Sequence, residues 1–133
     1  DRIGFEVKMV QSYQDAIGLV IEALKAEGFG VLTEIDVKAT LKKKLDADFH
    51  PYVILGACNP SLAYQALSNQ PEVGMMLPCN VTVEANDGGG SIVRILDPKI
   101  MMGVGRLGDN PALRDVASQA HEKLARVAKN LSA

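Results

Sequence analysis

Asn80-Val81-Thr82-Val83-Glu84-Ala85-Asn86-Asp87-Gly88-Gly89-Gly90-Ser91-Ile92-Val93-Arg94-Ile95-Leu96 is the stretch that decides the fold class. Val81, Val83 and Ala85 fall on one side of an alternating run, and Asn80, Thr82 and Glu84 on the other. That is the pattern of a strand with one buried face. Asn86 to Gly90 is a turn signal, and Ser91 to Leu96 returns as the hairpin partner. A hairpin is antiparallel, which points away from a doubly wound parallel sheet and toward a curved sheet with helices on one face.

Upstream, Tyr52 to Cys58 is the most continuously apolar run, the expected look of a central strand. Asn59 is a strong helix cap and Pro60 an ideal first helical residue. Leu62, Ala63, Ala66 and Leu67 give that helix an inward face, and Pro71 stops it. Phe49-His50-Pro51-Tyr52 reads as a bend with His50 extended, because proline pushes its predecessor out of the helical region. Val31 to Val37 reads as a strand with Leu32, Glu34 and Asp36 on one face. Asp36 then caps a helix whose apolar positions are Val37, Leu41 and Leu45, with Lys38 and Lys42-Lys43-Lys44 on its wet side. Nearer the start, Gly4 to Val10 alternates as a strand, and Ser12 opens a helix with Asp15 as its capping-box partner. Ile17, Val20, Ile21 and Leu24 form its apolar stripe, and Gly28 with Phe29 suits a Schellman close.

Downstream, Asp97-Pro98 repeats the cap-then-proline device for a short turn through Met102. The glycines at 103, 105 and 108 spell Gly-x-Gly-x-x-Gly, but they follow a helical turn rather than a strand, so the stretch reads as a mobile loop. Asn110-Pro111 opens the last helix, with Leu113, Val116, Ala120, Leu124, Val127 and Leu131 as its seam. The sum is an α+β protein with two layers, residues 1–133 forming a single domain. Its sheet is curved and mainly antiparallel, of roughly five strands, with helices packed on one face.

Composition narrows the function classes. A chain of 133 residues that is 47% apolar can bury one core. No apolar run approaches the roughly 20 residues of a membrane helix, so no membrane association is expected. A net charge of −2 and the absence of Trp leave neither an electrostatic footprint nor a stacking platform for nucleic acid. Two cysteines are too few for a disulfide scaffold. The chain begins at Asp1 rather than Met, which leaves room for a removed signal segment, and the cytoplasm is the expected location.

The chemistry-bearing residues gather at two echoes, Leu55-Gly56-Ala57-Cys58-Asn59-Pro60 and Leu77-Pro78-Cys79-Asn80-Val81. Cys58 directly precedes a helix cap, where unpaired amides can favour a thiolate, and Cys79 on a neighbouring strand would let the sulfurs pair or share a soft metal ion. Against this, a cysteine at a strand end is a small buried hydrophobe, and about 20 intervening residues without a CxxC pair make a weak metal signal. No metal ligand set is therefore assigned. Capping already accounts for Asn59, whereas Asn80 sits in a strand, where Asn is disfavoured. Glu34 and Asp36 share a strand face at a spacing that can raise one carboxyl pKa, although Asp36 also has its capping role. His50 and His121 read as boundary or surface residues.

With these motifs read, Glu27-Gly28-Phe29-Gly30-Val31-Leu32-Thr33-Glu34-Ile35-Asp36-Val37-Lys38 completes a resemblance. Together with the two Cys-Asn motifs it resembles the domain-of-unknown-function family 302 (DUF 302) over nearly the whole chain. The resemblance implies a compact α+β domain, layered like TATA-binding-protein-like folds, that self-associates as a homodimer. It implies no DNA binding and carries over no catalytic residue, and the cofactor stays unknown. The leading reading is a homodimeric module that binds a small molecule or ion near Cys58, Asn59, Cys79 and Asn80, with Glu34 and Asp36 as further candidates. The alternatives are a thiol-dependent redox or metal-using enzyme on the same residues, and a purely structural dimerisation domain.

Overall fold

The computed structural model describes residues 2–132. Five strands, β1 (Gly4–Met9), β2 (Gly30–Asp36), β3 (Tyr52–Cys58), β4 (Cys79–Ala85) and β5 (Ser91–Leu96), form one sheet in the order β1-β5-β4-β3-β2. Every neighbouring pair is antiparallel. The helices are α1 (Tyr13–Ala26), α2 (Val37–Leu45), α3 (Pro60–Asn69) and α4 (Pro111–Ser132). The expected α+β architecture, an antiparallel five-stranded sheet with helices against it, is what the chain adopts.

Local signals account for most element ends. Ser12 Oγ accepts from the Asp15 amide, and Gly28 at φ +83° lets the Phe29 amide reach Leu24 O at 2.9 Å. Asp36 Oδ1 accepts from the Ala39 amide at 2.9 Å, and Asn59 Oδ1 from Leu62 at 3.2 Å. Asn110 Oδ1 takes both the Ala112 and Leu113 amides, satisfying donors that the first turn of α4 cannot pair internally. Pro71 does end α3, but the chain then winds a 3₁₀ turn over Pro71–Met76 and buries Val73. The glycine-containing stretch expected to be mobile is pinned instead. A 3₁₀ turn over Pro98–Gly103 buries Met101, another over Leu107–Asp109 buries Leu107, and a Cβ on Gly108 would strike the Met102 carbonyl.

Register fixes what each face of the sheet carries. The row Val7, Val93, Val83, Val53 is joined by Ile95, Val81 and Leu55, all 5% exposed or less. α1 and α4 cover this face with Val20, Leu24, Leu124 and Val127, none of them exposed, and α3 packs on α4 through Leu62 and Ala66. Burial of this apolar area is the main stabilising term. β1 and β2 lie at opposite edges although only α1 separates them in sequence, so α1 must cross the sheet. The opposite face carries Glu6, Arg94, Thr82, Ile54 and Ile35 in one row, and Lys8, Ile92, Glu84 and Tyr52 in the next. No helix among the described residues is long and apolar enough to cross a membrane.

Candidate functional site

The two Cys-Asn motifs come together in space, but strand alternation divides them. Ala57 pairs directly with Cys79, and Gly56 with Asn80. Cys79 therefore points to the helix side with Ala57, and Asn80 points to the open side. Cys58, Asn59 and Cys79 line a small cavity of about 50 Å³ between the sheet end, α3 and α4. Its remaining walls are mostly apolar, including Phe29, Leu62, Leu113 and Val116, together with Met101 and Met102. Both cysteines are free thiols. Burial pushes the Cys79 thiol up to about 11, helped by the Cys58 sulfur nearby, so it is protonated at neutral pH. Asn59 is held from two directions, since its Nδ2 also reaches Glu27 O at 3.5 Å.

Asn80 belongs to a second and larger depression, about 430 Å³, on the open face of the sheet. Tyr52, Thr82, Arg94, Glu6 and Leu96 line it with Asn80. Gly56 sits between Thr33 and Asn80, where a Cβ would collide with Thr33 Oγ1 and the Pro78 ring, so no side chain fits at that position. Beside it runs a chain of charges. Arg94 Nε donates to Glu6 Oε2 at 3.0 Å, Arg94 Nη1 pairs with Glu84 Oε1, and His50 Nε2 meets Glu84 Oε2 at 2.6 Å. Phe49, His50 and Tyr52 pack as an aromatic group at its end. Burial alone would raise the Glu84 pKa, but the hydrogen bonds and charges of His50 and Arg94 together hold it below the ordinary glutamate value.

Glu34 and Asp36 line neither depression. They pair across with Leu55 and Val53, so they lie on the helix side of the edge strand, and both are exposed. Their effect is felt by Tyr13 at the start of α1, whose hydroxyl pKa is raised first by burial and then by Asp36 and Glu34. Sequence reasoning missed the Glu6, Arg94, Glu84 and His50 row. Alternation showed Thr82 and Glu84 on one side, but only register brings Arg94 and Glu6 beside them. It also missed Met101 and Met102 as cavity-lining residues, having read them only as the end of a short turn. His121, expected at the helix boundary, lies half-buried against Asp97, with Nδ1 to Oδ1 at 2.9 Å.

The family model described as "Domain of unknown function DUF302" matches residues 5–131. Three chains of solved structures are similar. One is the crystal structure of an uncharacterized conserved DUF302 protein from Bacillus stearothermophilus, 31% identical, with a TM-score of 0.84 and coverage of 97% of this chain and 98% of that one. No curated protein matches. With a family model spanning nearly the whole chain and a solved relative sharing its architecture end to end, this protein belongs to the DUF302 family.

Proposed function

We propose that this protein is a small-molecule-binding module that works as a homodimer, with its ligand seated in the open-face depression. The observation that carries the reading is the depression of about 430 Å³ with Asn80, Thr82, Tyr52 and Arg94 around it. Its volume is in the range of small-ligand sites, and a few converging polar groups are what such sites use to orient a ligand. Asn80 also has a physical reason to be there: an exposed amide in a strand contributes little to the sheet but can both donate and accept toward a ligand. The charged residues that line it are Arg2, Glu6 and Arg94, so a planar amide or carboxylate suits the Asn80 amide and the surplus of positive charge better than a cation.

The dimer reading rests on β2 and α2. Neither element contains a buried residue, and Leu32, Ile35 and Leu45 stand 67%, 47% and 71% exposed. β2 is also an edge strand with a free row of backbone groups. A second copy of the chain suits this face because acidic Glu34 and Asp36 lie next to basic Lys38, Lys42, Lys43 and Lys44. A twofold pairing can set one copy's carboxylates against the other's lysines. The thiol-enzyme alternative is weaker, since a Cys79 thiol pushed up to about 11 is a poor nucleophile.

The test is ligand-observed NMR with a fragment panel of planar amides, amidines and carboxylates, followed by Asn80→Leu. The reading expects amides or carboxylates to bind and to be lost in the variant. Binding of no fragment, or equal binding to wild type and variant, overturns the site. Light scattering on Leu32→Glu and Leu45→Glu tests the dimer: a folded monomer is expected, and a wild type that is itself monomeric refutes it.

A further inference from the structure

We propose that the open-face depression takes a short carboxylic acid that also carries an amide, of the N-acyl amino acid class, with Arg2 holding the carboxylate and Asn80 the amide. This inference rests on the reading of that depression as the ligand site, and it adds which end of the ligand meets which residue. It begins with register. Gly4 of β1 pairs with Leu96 of β5, and one step beyond the paired Val81 and Ile95, Asn80 of β4 lies beside Leu96. Gly4, Leu96 and Asn80 therefore form one row across three strands, and all three line the depression. Neighbouring strands lie about 4.8 Å apart, so the row runs about 10 Å from Gly4 to Asn80. At its Gly4 end the row presents backbone only, because a Cβ there would strike Ile95 O. Arg2 stands just beyond that end. The Ile3 carbonyl accepts from the Asp97 amide at 3.0 Å, which ties the segment before β1 to the end of β5 and keeps Arg2 at the rim.

Charge assigns the two ends. Arg94 Nε donates to Glu6 Oε2 and its Nη1 pairs with Glu84, so that guanidinium is already matched by two carboxylates of the protein. No carboxylate among the described residues pairs with Arg2. Its planar fork is the group left to meet a ligand carboxylate, with two N–H donors facing two oxygens. Asn80, at the other end, donates and accepts at once, which matches the acceptor and donor of an amide. The Arg2 and Asn80 side chains take up part of the span, so the acid and the amide of the ligand stand close together, as they do in an N-acyl amino acid. Half-buried Leu96 between them offers apolar surface to the carbon frame, and Tyr52 gives the acyl group an aromatic wall.

The experiment follows the amide shifts of the isotopically labelled full chain during titration with hippurate (N-benzoylglycine) and, separately, with its methyl ester. Low ionic strength keeps the screening of surface charges small. Saturable shifts at Gly4, Leu96 and Asn80 are expected with hippurate, and about tenfold weaker binding of the uncharged ester, for the loss of one charge-assisted contact. Arg2→Gln should bring hippurate down to the affinity of the ester and leave the ester's own affinity unchanged. Arg2 is exposed and lies outside the strands, so the variant is expected to fold as wild type does. Equal binding of acid and ester, or an Arg2→Gln protein that holds hippurate as tightly as wild type, overturns the carboxylate assignment while leaving the ligand site in place. Hippurate that shifts none of these amides also overturns it, and the fragment panel then separates the two readings. Fragments that bind wild type and are lost in Asn80→Leu leave the site standing, whereas a panel without a binder removes both.

Discussion

Glu84→Gln tests the electrostatics of the open face most directly. Glu84 is the shared partner of Arg94 and His50, and its side chain is 13% exposed while theirs are 45% and 43% exposed. Glutamine keeps the shape and one acceptor but removes the charge that makes both hydrogen bonds strong. Arg94 retains Glu6, so the variant leaves no orphaned buried cation. Charge-assisted bonds can contribute more than neutral ones, but two solvent-exposed partners screen this pair, so about 1–2 kcal/mol in total is expected. In a chain of this length that lowers Tm by about 3–5 °C per kcal/mol.

The pH dependence gives the sharper readout. The Glu84 pKa is lowered in the folded protein, so the unfolded chain binds its proton first as the solution is acidified. The stabilisation is complete above the ordinary glutamate value of 4.5 and is lost as pH falls through the depressed folded value. Urea denaturation should therefore show wild type ahead of Glu84→Gln at about pH 7 and the two converging as acidification protonates Glu84 in the folded protein. Equal midpoints at neutral pH, or a gap that persists undiminished in acid, would refute the reasoning.

Other perturbations probe the core, a cap and the thiols. Leu55→Ala, at a fully buried position on β3, should cost about 2–5 kcal/mol by chemical denaturation; a cost under about 1 kcal/mol would mean that the sheet and helix layers are not packed as described. Asn59→Ala removes the cap of α3 and the link to Glu27 O, and should cost about 1 kcal/mol. Its measure is the denaturation midpoint, which an unneeded cap would leave unmoved. In native protein near neutral pH, a thiol reagent should modify half-exposed Cys58 first and leave buried Cys79 until denaturant is added. Rapid labelling of both would contradict the burial of Cys79.

The elements of this chain were legible in its sequence because each carries a short-range signal. Ser12, Asp36, Asn59 and Asn110 cap the helices predicted from them, since a side-chain oxygen two or three residues from an unpaired amide acts locally. The hairpin of β4 and β5 was readable from alternation and the Asn-Asp-Gly turn, and it gave the antiparallel class correctly. The loop from Gly103 to Gly108 was misread because the burial of Leu107 depends on what packs over it, which glycine content does not reveal.

What needed the tertiary structure is everything set by register between distant segments. Only the order β1-β5-β4-β3-β2 brings Glu6 to Arg94, 88 residues away, and His50 to Glu84. The bulge at Leu32 pairs Thr33 and Ile35 with open-face Gly56 and Ile54, and so leaves Glu34 and Asp36 on the helix side, apart from both depressions. The gathering of Cys58, Cys79, Met101 and Met102 around one cavity depends on how β3, β4 and a 3₁₀ turn meet under α4. Capping and alternation are written into neighbouring residues, whereas a site made of several strands exists only after long-range pairing has fixed which side chains share a face.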